Sequence, residues 1–345
     1  MTTTRRTRWT SGGLIAGLTA VVGLLLALSG FDVWRAAQAL VSGALGSWYA
    51  IGSGTLVRAT PLILTGLAVA LAFRAGVFNI GAEGQFLVGA AAATAVALAF
   101  ATLPALLLVP AVLVAGALAG AAWAWIAGVL RARFHVLEVI STIMLNFIAA
   151  YLVSYLVRGP MQEPTRVYPQ TSSIAAAAQL PRFGAATRLH IGFAIAVAAC
   201  VVSWCVIRYT AGGFRLRVVG ANPDAARSAG QIDVERVAMR AFLVSGALAG
   251  AAGAIEVSGV TYALYENLSP GYGYTAIAVA LLARLDAAAV VATGIFFGAL
   301  EAGATAMQRD AGVPSVIVSV VEAGIILSLV AAERARFGAD EASAS

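Results

Sequence analysis

The chain has 345 residues, of which 61% are hydrophobic and only 11% charged, with a mean hydropathy of +0.90. That apolar share excludes a soluble domain. The formal net charge is +6 and all 22 basic residues are arginine, so the chain offers neither a P-loop lysine nor a Schiff-base amine, and any ATP hydrolysis that drives it must reside on another subunit.

Apolar windows of about 20 residues, enough for roughly 30 Å of hydrocarbon, recur along the sequence and predict ten membrane spans. They fall near residues 13–29, 57–73, 84–101, 104–130, 139–157, 189–208, 239–257, 273–284, 288–305 and 314–331. The first follows Arg5, Arg6 and Arg8 as a signal peptide would. However, Phe31-Asp32-Val33-Trp34 stands where small residues would be cleaved, so it reads as an uncleaved helix. The eighth is short and reads as tilted, broken or re-entrant. Placing the N-terminus in the cytoplasm assigns fifteen of the 22 arginines to the inside, among them Arg5, Arg74, Arg131, Arg215 and Arg334. This bias puts both termini inside and accounts for the charge, so no nucleic-acid partner is implied.

Between the second and third spans, residues 74–90 read Arg-Ala-Gly-Val-Phe-Asn-Ile-Gly-Ala-Glu-Gly-Gln-Phe-Leu-Val-Gly-Ala. Asn79, Glu83 and Gln85 lie there among glycines, where lipid would otherwise demand hydrocarbon. Either this irregular backbone lines a translocation pathway or gate, or Glu83 pairs with Arg74 and the amides satisfy backbone freed at a broken helix. In the fifth span Glu138, Thr142 and Asn146, four apart, stack on one face that must meet protein or water rather than lipid. Asn146, the deepest, is the candidate for touching a solute; a bond between helices is the alternative.

Residues 158–188 form the long external connection, a surface for a soluble partner or merely a solvated loop. Cys200 and Cys205, five apart in the sixth span, point in different directions and read as packing residues. His135 and His190 fall on opposite faces of the membrane, so no metal signature is present. In the internal loop 209–238, Asn222 can cap a short helix opened by Pro223, with Asp224 near its positive end and Gly230 as its stop. So short a helix gains most of its stability by docking.

Glu256, Glu301 and Glu322 lie in or near the later spans; the first two approach the external ends of spans seven and nine, where water could solvate them, and Arg284 and Asp286 look like a boundary pair. Tyr262, Tyr265, Tyr272 and Tyr274 suggest an aromatic belt at the outer interface rather than a stacking site. The heptapeptide Gly-Ala-Leu-Ala-Gly-Ala-Ala occurs at 116–122 and again at 246–252, supplying close-packing GxxxG faces. No serine-lysine, zinc-protease or nucleophile-elbow motif is present, which argues against an intramembrane enzyme.

Four passages carry a family likeness: Gly76 to Gln85, Glu138 to Asn146, Gly212 to Gly230 and Pro270 to Leu282. With them the chain resembles, over about 57–331, the permease subunits of bacterial ABC importers for nucleosides and simple sugars, within the wider group of ribose and branched-chain amino acid permeases. After Leu282 it departs, with Ala283, Asp286 and Ala287 where Gly, Asn and Pro would be favoured.

The resemblance implies an all-α integral membrane protein of about ten transmembrane helices; with both termini cytoplasmic, as the arginine bias has them, the second span begins outside and the seventh inside, so spans 2–5 and 7–10 would form inverted repeats. It would be one permease domain over 1–345, with an N-terminal tail (1–12), external loop (158–188), cytoplasmic coupling loop (209–238) and C-terminal tail (332–345), set in the bilayer of the bacterial cytoplasmic (inner) membrane. It further implies a cytoplasmic ABC ATPase, a second permease subunit with a heterodimer favoured, an extracytoplasmic substrate-binding protein, and no cofactor. Coupling to the ATPase falls to Gly220, Asn222, Pro223, Ala225, Ala226 and Gly230; the pathway or gate falls to Asn79, Glu83, Gln85, Thr142 and Asn146. The rival readings are a proton- or ion-coupled secondary transporter using intramembrane glutamates, and an ABC permease for branched-chain amino acids or ribose.

Overall fold

The computed structural model describes residues 23–24, 26–184, 186–228, 232–314, 320 and 323–324. Most of the first and tenth expected spans, together with Gly230 and Glu322, lies outside them. Seven helices among the described residues are long and apolar enough to cross a membrane: Ala50–Arg74, Ala82–Ala99, Ala105–Phe134, Glu138–Arg158, Gly192–Tyr209, Val234–Thr261 and Ala289–Ala311. They match expected spans two to seven and nine within several residues. The chain forms two compact units, one of residues 1–55 with 298–345 and the other of 56–297.

In the first unit, α1 (Val33–Leu45) is a helix that the apolar windows did not predict, because Trp34, Arg35 and Gln38 interrupt them. Asp32 caps it, its carboxylate accepting from the Trp34 and Arg35 amides at 2.9 and 3.0 Å. Its Ala36 and Ala39 pack with Leu26, Ala304, Met307 and Val313.

The second unit begins with α2 (Val57–Arg74), which is apolar all round and buried along nearly its whole length. Around it come α3 (Ala82–Ala99), α4 (Ala105–Phe134), α5 (Glu138–Arg158) and α6 (Gly192–Tyr209). The internal loop holds α7 (Ala211–Ala221), which was not predicted, and the short α8 (Pro223–Ser228); α9 (Val234–Glu256) then runs on into a π-helical turn, Val257–Thr261. α10 (Tyr272–Leu282) is followed by α11 (Ala289–Ala311).

The two copies of the heptapeptide face each other. A Cβ on Gly120 would stand 2.2 Å from the Gly246 carbonyl oxygen, and one on Gly250 would stand 2.2 Å from that of Gly116. α4 and α9 therefore meet backbone to backbone along this seam, where dispersion between close chains substitutes for the hydrophobic drive that lipid cannot supply. α3 joins the same seam, since a Cβ on Gly89 would lie 2.4 Å from Gly250.

α10 is only about 16 Å long, half of a hydrocarbon core. Its start abuts the start of α3: a Cβ on Gly273 would fall 2.1 Å from the Glu83 amide nitrogen. The turn beyond α10 puts Arg284 and Leu285 at φ 53° and 59°, left-handed geometry on two residues that resist it, directly after Ala283, the first position at which the chain departs from the family-like sequence.

The connection 159–191 is more than a solvated loop. Thr171, Ile174 and Leu180 donate amide hydrogen bonds of 2.8 Å to the carbonyls of Leu264, Tyr262 and Ser258. All three residues are buried, so this segment clamps the stretch between α9 and α10. His190 is fully buried against Gly259, its Nδ1 accepting from the Gly192 amide at 3.2 Å.

Candidate functional site

A helix N-terminus leaves backbone N–H groups without partners, and in a membrane interior no water can take them. Here α3 and α10 both begin inside the protein, and each start is satisfied by a side chain from another element. The Gly84 amide donates to Asn146 Oδ1 of α5 at 2.8 Å, and the Gly273 amide donates to Glu83 Oε2 at 2.7 Å. Asn146 lies eight residues into α5, about 12 Å from its beginning, which fixes the depth of the junction. Its Nδ2 donates to the Ile80 carbonyl at 2.9 Å and reaches the Tyr274 hydroxyl at 3.4 Å.

Asn79 and Gln85 form a reciprocal amide pair, 2.9 and 3.1 Å, with Asn79 also donating to Ser245 Oγ at 2.8 Å and accepting from the Gly81 amide at 2.9 Å. Both are buried. Thr142 turns inward on its own helix, donating to the Glu138 carbonyl at 2.6 Å. Asn79, Glu83, Gln85, Thr142 and Asn146 are therefore brought into one neighbourhood. Glycine is required at the junction: a Cβ on Gly81 would come within 3.0 Å of Asn79 Oδ1, and one on Gly84 within 2.9 Å of Asn146 Oδ1.

Three expectations need correction. Glu83 does not pair with Arg74, whose Nη1 donates to the Leu285 carbonyl at 3.0 Å. The segment 75–81 carries Glu83 away from that end of α2, and its carboxylate sits instead at two helix starts, whose positive ends stabilise it; Ser269 also hydrogen-bonds it. Glu256 is not solvated: it is only 5% exposed, with Arg58 and Arg188 acting on it electrostatically. The four tyrosines do not all face outward. Tyr272 is buried edge-on against Phe86 at 5.7 Å, because α10 starts inside the protein, and the Tyr262 hydroxyl donates to the Gly259 carbonyl at 3.0 Å.

Above the junction lies a cavity of about 360 Å³, lined by Glu83, Leu87, Asn146, Phe147, Ala150, Tyr151, Val153, Ser154, Glu266, Asn267, Ser269 and Tyr274. Glu266, between spans, takes a bidentate pair from Arg158, Nε to Oε1 at 2.7 Å and Nη2 to Oε2 at 2.6 Å, and accepts from Ser154 Oγ as well. Those hydrogen bonds hold its carboxyl down to about 2. The sequence reading missed Tyr151 and Ser154 and set Tyr274 in an interfacial belt. The signal for the first two was present: Asn146, Phe147, Ala150, Tyr151 and Ser154 fall on one helical face.

In the internal loop, Asn222 Oδ1 accepts from the Asp224 and Ala225 amides at 3.0 and 2.9 Å, capping α8 as expected. Ala226 is buried with Val219 and Val234, so α8 docks within its own chain, while Pro223 and Ala225 remain exposed. Gly220 abuts the end of α2, where a Cβ would fall 1.9 Å from the Arg74 carbonyl oxygen.

A body of membrane-crossing helices enclosing a polar-floored cavity at two interrupted helices is the build of a multi-pass membrane transport protein. The family described as "Branched-chain amino acid transport system / permease component" matches residues 51–330, and the chain belongs to that family. It is 41% identical over 328 residues to the guanosine ABC transporter permease protein NupP of Bacillus subtilis, covering 94% of this chain and 93% of that one. It is 42% identical over 288 residues to the glucose ABC transporter permease protein TsgB13 of Haloferax volcanii, covering 81% of this chain and 75% of that one. The nucleoside ABC transporter permease protein NupB of Lactococcus lactis is 35% identical over 312 residues, covering 88% and 85%. No solved structure matches the chain.

Proposed function

We propose that the chain is the membrane permease subunit of an ATP-driven importer, carrying a nucleoside or related simple sugar inward by alternating access. The observation that carries this reading is the cavity at the junction of α3 and α10, built on a chain whose relatives are named as guanosine, nucleoside and glucose ABC permeases. Asn146 and Glu83 line it; Asn79, Gln85 and Thr142 hold its floor.

In this reading ten helices cross the bacterial cytoplasmic membrane with both termini inside. Spans 2–5 and 7–10 are inverted repeats, and α3 and α10 are their matching interrupted elements, running to opposite faces from a shared midpoint. The clamped loop 159–191 faces the extracytoplasmic binding protein. The exposed side of α8 enters the ATPase, and Gly220, set against the α2 carbonyl end, passes its movement to the buried core helix. Asn222 and Pro223 shape that element, Ala225 presents it and Ala226 anchors it; Gly230 lies outside the described residues. The second permease subunit is a different chain: NupP and NupQ, both named guanosine permeases in one Bacillus subtilis strain, are 41% and 28% identical to this chain.

Ala225→Trp tests the coupling assignment. Ala225 is exposed, so the larger ring costs the fold little; uptake by the complete transporter should fall at least about tenfold while the amount in the membrane is unchanged. Wild-type uptake would remove the assignment.

A further inference from the structure

The three relatives described above divide between nucleosides and a hexose, and the cavity wall distinguishes the two. We propose that the cavity recognises the aromatic ring of a nucleoside through Tyr151 and Tyr274, and is not built for a simple sugar; this rests on the permease reading above.

A sugar is held mainly by hydrogen bonds to its hydroxyls, and most polar groups of the cavity are already committed. Asn146 is engaged at both ends of its amide. Ser269 accepts from the Gly271 and Tyr272 amides, both at 3.1 Å, and hydrogen-bonds Glu83. Glu83 takes the Gly273 amide, and both oxygens of Glu266 take Arg158.

Apart from the exposed Asn267, what remains open is largely aromatic. Tyr151 is 76% and Tyr274 45% exposed, and Phe147 extends the same surface. Every nucleobase presents a π-face to such rings, and stacking tolerates differences between bases. The volume of about 360 Å³ lies in the range of sites for molecules of nucleoside size. Among the described residues no arginine lines the cavity, and its two carboxylates, Glu266 already paired with Arg158, offer an anionic solute no counter-charge.

The test is uptake of labelled guanosine and labelled glucose by cells carrying the complete transporter, with the amount of chain in the membrane measured for each variant. Guanosine should accumulate. Tyr151→Ala and Tyr274→Ala should each lower its uptake roughly tenfold, while Tyr151→Phe and Tyr274→Phe, which keep the ring, should stay within about threefold of wild type. Tyr155→Ala, one turn further along α5 and off the cavity lining, should leave uptake unchanged. The inference is overturned if the alanine variants lose less than threefold, if the phenylalanine variants lose as much as alanine, or if glucose is taken up in place of guanosine. Failure of the wild type to take up either solute would instead overturn the permease reading.

Discussion

Gly273→Ala probes the junction of α3 and α10 with a single methyl group. The new Cβ would lie 2.1 Å from the Glu83 amide nitrogen and 2.4 Å from its Cα, so the two helix starts must part by more than about 1 Å to reach ordinary contact. That shift carries the 2.7 Å bond from the Gly273 amide to the Glu83 carboxylate beyond bonding range. Losing a hydrogen bond to a buried carboxylate costs about 1.5–3 kcal/mol. Overpacking adds roughly 1–3 kcal/mol, for a total on the order of 4 kcal/mol. The assay is thermal stability of the detergent-solubilised protein, followed by fluorescence-detected chromatography, alongside uptake. Gly273→Ala should melt several degrees below wild type and transport poorly. Gly212→Ala, where the nearest atom to the new methyl is 3.7 Å away, should match wild type. Glu83→Gln, which keeps an acceptor for the Gly273 amide, should be milder than Glu83→Ala. Wild-type melting for Gly273→Ala, or equal loss for the two Glu83 variants, would refute the reasoning.

The α4–α9 seam makes a parallel prediction: Gly120→Leu and Gly250→Leu should each sharply reduce folded protein in the membrane, and the double variant should lose less than the sum, because both open one contact. Strict additivity in the melting data would count against a shared seam. His190 predicts a pH dependence. Burial first, then Arg182 and Arg188, holds its imidazole down to about 4 from an ordinary 6.5. Between those values the unfolded chain binds more protons than the folded one. Stability is therefore full above about pH 6.5, declines as pH falls towards 4 and levels off below, by a total on the order of 3 kcal/mol. His190→Gln should flatten that decline; an unchanged pH profile in the variant would assign it to another group.

The sequence made the spans legible because lipid imposes a length and a composition that nothing else in the chain shares, and the shortness of α10 already marked an interrupted helix. It also exposed the cap at Asn222, since Asn-Pro-Asp is a local signal. Partners were harder to read. Glu83 lies near Arg74 in sequence, and only the fold shows that two helix starts supply the positive environment that a guanidinium was expected to give. Asn146 stood out as a polar residue deep in an apolar helix, but its amide is consumed by backbone, a long-range match that periodicity cannot convey. Tyr274 was read as interfacial because tyrosine favours membrane surfaces. Its true location depends on α10 starting within the protein, beside α3. The heptapeptide repeat lay in plain view, yet that its copies touch is a fact of tertiary packing alone.

The central claim is that this chain moves solute only when an ATPase subunit drives it. The most direct measurement is guanosine uptake into proteoliposomes holding the complete transporter, with the binding protein supplied on the outer side, compared with liposomes holding this chain alone under a proton gradient. Accumulation is expected only in the complete assembly with ATP available to its ATPase, and should vanish when that subunit's phosphate-binding lysine is replaced. Accumulation by this chain alone under a proton gradient would contradict the claim.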